Sequence, residues 1–272
     1  MIRICLLIWL VCSSAFSSVM LLKEYKDENL TGWMMSEKYD GVRAIWDGKE
    51  LKSRNGNIIN APSSFIAQLP DFALDGELWS NRGEFELIAS IVLDKNPDIK
   101  AWQNIKYMVF DLPKFDGNLS DKMAYLEEFL SSNPSSFIKV VKQTYIQNNS
   151  HAFAFLNEVV SKGGEGIVVR DPNATYISGR SDKILKLKKW NDSECQIVAI
   201  NNGKGKYEGA MGSVDCVDIF SKIKFKIGSG FSDEIRKNPP KIGTIITYKF
   251  QNLTNNNNKP RFPVFLRIKR GE

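Results

Sequence analysis

The sequence predicts an α+β fold, antiparallel sheets with packed helices, followed by a smaller all-β barrel. Three observations lead to this reading. Up to Trp190, strand-like and helix-like segments mix without the strict alternation of a parallel βαβ sheet. Beyond Trp190 the chain turns to short strand-like runs broken by Gly, Pro and Asn. At 272 residues, 43% apolar and 25% charged, it is long enough for two compact cores and too apolar for a disordered chain.

Taken in order, the first eighteen residues stand apart from the fold. Arg3 supplies a short positive end, Ile4 to Val11 an apolar run, and Ser13 to Ser18 a small-residue exit. This is the layout of a secretory signal peptide over residues 1–18, too short to span a bilayer as a helix. The mature protein is expected in the periplasm, exported through this leader, with no stable membrane association after cleavage. Cys5 and Cys12 fall in the leader, leaving Cys195 and Cys216. With no CxxC spacing and a single histidine, His151, the chain lacks the donors for a structural zinc site or a Cys-His nucleophile. An oxidising compartment would permit a Cys195–Cys216 disulfide, and two buried thiols fit the sequence equally.

Residues 21–190 form the α+β part. Val42–Trp46 and Glu50–Arg54 flank Asp47-Gly48, a hairpin-turn dipeptide. Further strands are predicted at Ala73–Trp79, Ile105–Leu112, Ile138–Ile146, Gly166–Arg170 and Lys183–Lys188. Helices fit Phe85–Leu93, Asp121–Leu130 and Ser150–Lys162. The last of these gathers Phe153, Leu156, Val159 and Val160 on one face and stops at Gly163-Gly164. Asn191-Asp192-Ser193 is the expected hinge. Residues 194–272 then carry strands at Glu194–Asn201, Ser213–Phe220, Ile223–Gly228, Thr244–Phe250 and Val264–Lys269, with a helix at Phe231–Lys237. Five short strands and one small helix suit an OB-fold barrel.

The segment richest in chemistry is Glu37-Lys38-Tyr39-Asp40-Gly41-Val42-Arg43. A lysine nucleophile attacks only when neutral, so it needs burial or neighbouring positive charge. Arg43 and a bound metal could both serve. Taken alone, the pattern is equally a surface turn. Ser53-Arg54-Asn55-Gly56 adds a second arginine, and alternation in Leu74–Leu78 puts Asp75 and Glu77 on one face. Glu165 opens the next strand after the Gly-Gly helix exit. In Leu185–Lys188 the two leucines share one face, and Lys186 and Lys188 the other. Like charges side by side on a strand repel, and make sense with an anion between them.

Together, EKYDGVR (Glu37–Arg43), SRNG (Ser53–Gly56), DGELW (Asp75–Trp79), YMVFDLP (Tyr107–Pro113), EGIVVR (Glu165–Arg170) and LKLKKW (Leu185–Trp190) resemble the motif series of ATP-dependent DNA ligases. RNA ligases and mRNA capping enzymes share that fold. The leader, the short length and the lack of an extra N-terminal DNA-binding domain resemble the minimal periplasmic, E-type group. The resemblance implies a nucleotidyltransferase fold, with ATP-grasp-like antiparallel sheets and helices, followed by an OB-fold. It implies that Lys38 attacks the α-phosphorus of ATP to form lysyl-AMP. Arg43 and Arg54 would contact the AMP phosphate or the 5′-phosphate of nicked duplex DNA, Glu77 the ribose hydroxyls, Phe110 the adenine face, and Lys186 and Lys188 the α-phosphate. Glu165, with Glu77 nearby, would position Mg²⁺ or Mn²⁺.

The formal charge of +6 suits a polyanionic partner. Lys204, Lys206, Lys222, Lys224 and Lys226 crowd the first half of the barrel region, and Arg261 and Arg267 lie near its end. Alternation places Lys222, Lys224 and Lys226 on one strand face, a track for DNA phosphates. The family's C-terminal motif, which reorients ATP phosphates, is not legible beyond Arg261-Phe262 and residues 267–270. A monomer is expected. An export leader conflicts with mRNA capping, and an NAD-dependent ligase needs further domains. An RNA ligase stays open, as does a non-catalytic nucleic-acid-binding barrel.

Overall fold

In the computed structural model, which describes residues 19–254 and 257–269, the strands sort into three five-stranded sheets. The predicted leader at 1–18 and Arg270 lie outside the described residues. In chain order the strands are β1 (Met20–Glu24), β2 (Met34–Glu37), β3 (Val42–Trp46), β4 (Leu51–Ser53), β5 (Leu74–Trp79), β6 (Lys106–Asp111), β7 (Ile138–Val140), β8 (Thr144–Tyr145), β9 (Ile167–Arg170), β10 (Gly179–Leu187), β11 (Asn191–Asn202), β12 (Met211–Asp218), β13 (Lys224–Ile227), β14 (Ile245–Phe250) and β15 (Val264–Ile268). The helices are α1 (Ser63–Ile66), α2 (Phe85–Val92), α3 (Ile99–Trp102), α4 (Leu119–Ser132), α5 (Asn149–Ser161) and α6 (Asp233–Lys237).

The first sheet runs β1-β10-β9-β2-β8 and the second β4-β3-β5-β6-β7. Each is antiparallel except for one pair, β1 with β10 and β6 with β7. A parallel pair needs a long crossover, and α4 supplies one between β6 and β7. Helix α5 covers the first sheet, burying Ala152, Leu156 and Val159 against Ile167, Val169, Leu185 and Leu187. It starts where the Asn148 side chain accepts from the His151 N–H. The second sheet buries Ala44, Leu74, Leu78 and Tyr107 against Phe65 of α1, Ile88 of α2 and Trp102 of α3. Between the two sheets Asp111 is buried with two cations, Lys122 of α4 at 3.0 Å and Arg170 of β9.

The third sheet runs β13-β12-β11-β14-β15, wholly antiparallel. A parallel bridge between Ser229 and Val264 draws its edges together into the OB barrel. Cys195 and Cys216 are joined by a disulfide across β11 and β12, with both sulfurs in the barrel core.

Three expectations are corrected. The strand predicted over Ile138–Ile146 is two, β7 in the second sheet and β8 in the first, because Ile138, Val141 and Ile146 are buried at spacings that no single strand face offers. Residues 191–193 are no free hinge: they open β11, paired with Phe250, Lys249 and Tyr248. Lys222 precedes β13 in a left-handed turn (φ 61°) with its ammonium on the Ile219 carbonyl at 2.7 Å, so only Lys224 and Lys226 share the strand face.

Candidate active site

Lys38 is the first residue past β2, where the chain leaves the first sheet. Pairing of Glu37 with Ile167 and Ser36 with Val168 fixes that exit. The Lys38 N–H donates to the Gly166 carbonyl at 2.9 Å, strapping the loop to the start of β9. This brings Glu165, 127 residues away in sequence, within 2.5 Å of Nζ through Oε2. Its other oxygen pairs with the Lys188 ammonium, just past β10. Burial works to raise the Glu165 carboxyl, and the two ammonium groups more than offset it, holding it below the usual carboxylate range. Burial also depresses the Lys188 ammonium, Glu165 opposing and Lys38 and Lys186 adding to the shift. Gly41 turns the chain into β3: a Cβ there would collide with the Leu78 carbonyl oxygen, and its N–H donates to Glu77 Oε1 at 3.2 Å.

Arg43 and Glu77 are cross-strand partners on β3 and β5. The Arg43 fork donates to both oxygens of Asp75, at 3.0 and 2.6 Å, and its remaining nitrogen to the Met20 carbonyl at 2.5 Å. Asp75 is fully buried and also accepts from the Tyr176 hydroxyl at 2.8 Å. The carboxylate that alternation placed on the same face as Glu77 is therefore committed to aiming Arg43. Phe110 on β6 is half-buried, its ring centroid 5.3 Å from the Arg43 guanidinium carbon. Burial pushes the Glu77 carboxyl up to about 7, with the Lys38 and Arg43 charges pulling it back down. Lys38, Arg43, Arg54, Glu77, Phe110, Lys186 and Lys188 all line one cleft of about 350 Å³. Arg54 stands exposed at its rim, and Lys186 lies 3.5 Å from Glu24. On the other side of Lys38 a second cavity of about 320 Å³ is walled by Glu165 and by Arg261 of the barrel. An aromatic face, a ring of cations and an amine in contact with a carboxylate form a receptacle for a nucleotide.

Residues 15–188 match the family model described as ATP dependent DNA ligase domain, and residues 202–269 the DNA ligase OB-like domain. The chain is 43% identical to a DNA ligase of Haemophilus influenzae, over 97% of this chain and 98% of that protein. The chain belongs to the ATP-dependent DNA ligases. The ligase is also 30% identical to DNA ligase 2 of Korarchaeum cryptofilum, over 75% of its own length and 41% of that protein. Its fold superposes on a Lig E DNA ligase structure with a TM-score of 0.86 at 39% identity, covering 93% of this chain and 99% of that one. This is a minimal member of its family, a nucleotidyltransferase fold followed by an OB-fold, and it uses ATP.

In the ligase the basic residues predicted for DNA divide. Arg261 is not on an outer face: it pairs with Asp40, beside Lys38, at 2.5 Å. From the same barrel loop, Gln251 accepts from the Lys188 ammonium at 3.0 Å. Lys224 and Lys226 stand exposed on β13, each 3.9 Å from Asp215. Lys204 and Lys206 lie in the β11–β12 loop, and Arg267 is exposed on β15. Sequence reading missed Tyr176, Gln251 and Arg82, whose guanidinium grips Glu37 at 2.7 and 2.8 Å. Only the alternation of Asp75 with Glu77 offered a signal, and it named the face without the partner.

Proposed function

We propose that this ligase seals nicks in duplex DNA by carrying AMP on Lys38. The observation that carries the reading is Lys38 Nζ held by Glu165 at the edge of a cleft furnished with Phe110, Arg43, Lys186 and Lys188. With its proton given up to solvent, Nζ attacks the α-phosphorus of ATP through its lone pair, while Glu165 holds the side chain in line. A P–N bond forms and pyrophosphate leaves. AMP then passes to the 5′-phosphate at the nick, and the 3′-hydroxyl displaces it as the phosphodiester closes. Phe110 stacks on adenine, Glu77 takes the ribose hydroxyls, and Arg43, Arg54, Lys186 and Lys188 face phosphate oxygens, where fixed cations offset developing charge.

Among the described residues no group of three His, Cys, Asp or Glu could hold a metal. Two carboxylates, Glu165 and Glu77, face Lys38, a donor set that suits a Mg²⁺ taking its other oxygens from phosphate and water. Such an ion would neutralise charge on the departing pyrophosphate. The exposed Lys204, Lys206, Lys224, Lys226 and Arg267, with the loop residue Lys222, would track the duplex backbone. Arg261, beside Lys38, suits the phosphates of bound ATP. The enzyme would work as a periplasmic monomer once the leader at residues 1–18 is removed; no helix among the described residues is long and apolar enough to cross a membrane.

The test is sealing of a nicked duplex with ATP and Mg²⁺, using all-DNA strands and matched RNA-containing strands. Joining of the DNA nick at least as fast as its RNA counterparts is expected. Joining of RNA alone would overturn the substrate assignment.

A further inference from the structure

We propose that Arg236 is a positioning residue for duplex DNA: it fixes the glycine-rich loop between β11 and β12 in the shape that presents Lys204 and Lys206 to the phosphate backbone. The inference rests on the reading of the barrel as DNA-binding and adds the device that shapes one of its contacts.

Arg236 lies in the short helix α6 and is 5% exposed. Its guanidinium donates to three backbone carbonyls, Met211 at 3.1 Å and Gly212 and Gly228 at 2.8 Å. The Tyr207 ring centroid is 4.2 Å from its central carbon and that of Phe231 5.6 Å. Among the described residues no carboxylate pairs with it. A buried cation without a counter-ion is expensive, and an apolar side chain would fill the space at lower cost. What the guanidinium adds is direction. Its fork ties the start of β12 to the residue after β13, and its flat face seats Tyr207.

Tyr207 is the keystone of the loop. The Gly203 N–H donates to the Ala210 carbonyl at 2.8 Å, closing the turn, and Tyr207 and Glu208 donate back to Lys204 and Gly205 at 3.2 and 3.0 Å. A Cβ at Gly203 would collide with the Tyr207 carbonyl oxygen. Gly205 and Gly209 take the left-handed region, at φ 57° and 77°. The loop is thus wound tight, with two lysines projecting from it. Lys206 is 3.4 Å from Asp233, both side chains mostly exposed, a pairing weak enough to exchange for phosphate. Holding the lysines in place before DNA arrives removes the ordering cost of a mobile loop.

The experiment titrates the full-length protein with nicked duplex across a salt series and measures sealing kinetics. Lys204→Ala with Lys206→Ala is expected to flatten the slope of log K against log salt by about 1.8, roughly 0.9 for each phosphate left unneutralised. Arg236→Met is expected to flatten it in the same sense and to raise KM for nicked duplex with kcat little changed. Added to the double lysine variant, it should cause no further loss. Tyr207→Leu leaves the three carbonyl bonds in place, should behave likewise, and decides the matter if thermal melting shows Arg236→Met unfolded. Folded variants with the wild-type slope, or losses that add fully, overturn the inference while wild-type binding stands. Absence of salt-dependent binding by the wild type overturns the DNA-binding reading and this inference with it.

Discussion

Lys38 and Glu77 face the same cleft, and their surroundings treat them differently. The amine keeps a carboxylate in contact, whereas the Glu77 carboxyl is pushed up to about 7, chiefly by burial. That shift has a sign in stability. A folded value above the ordinary 4.5 means that the contribution of Glu77 is complete below pH 4.5 and is lost as pH rises through about 7. Glu77→Gln should therefore gain stability relative to wild type between pH 4.5 and 8, on the order of 2 kcal/mol after discounting for solvent in the cleft. Paired urea titrations at the two pH values measure it, and an unchanged gap would contradict the assignment. The sequence made the cleft residues legible because each sits in a short motif whose neighbours are chemical. It could not show that Glu165 bridges Lys38 and Lys188, nor that Asp75 aims Arg43, since these pairs meet only through strand pairing.

At the scale of elements, the site depends on how the first two sheets meet. Asp111 on β6 is completely buried and holds Lys122 of α4 and Arg170 of β9, so one carboxylate ties three elements across the sheet junction. Removing it would leave two buried cations uncompensated. Asp111→Ala should lose about 3–5 kcal/mol, read as a lowered denaturant midpoint, with nucleotide binding impaired because Arg170 also lines the cleft. An unaltered midpoint would mean that the triad contributes nothing. Most strands and the longer helices were legible from alternation and capping; β1 and β2 were not. Met34, Met35 and Ser36 are all buried, so β2 shows no alternation to read. Residues 138–146 looked continuous because only residues 141–143 separate a strand of one sheet from a strand of the other.

Across the whole molecule, the barrel reaches back to the catalytic lysine. Arg261 on Asp40 and Gln251 on Lys188 put the β14–β15 loop against the Lys38 loop. A barrel that touches the site, and is proposed to grip DNA, must hold its shape, and the Cys195–Cys216 disulfide braces its first two strands. With a sequence separation of 21 between the cysteines, replacing both by Ala should cost about 3 kcal/mol of stability. A reducing agent should lower the melting temperature of the wild type and leave that of the double variant unmoved. Equal melting of the two proteins without reductant would show the brace to be dispensable. The OB-fold was legible from the count and spacing of short strands. The contact between barrel and catalytic loop was not, because nothing in the neighbours of Gln251 or Arg261 announces that they dock on Lys188 and Asp40.

The most direct measurement follows the amine itself. The protein is incubated with α-labelled ATP and Mg²⁺, digested, and the labelled peptide identified by mass spectrometry. AMP on Lys38, and no label on the Lys38→Ala protein, is the predicted result; AMP on another side chain, or undiminished labelling of the variant, would contradict it.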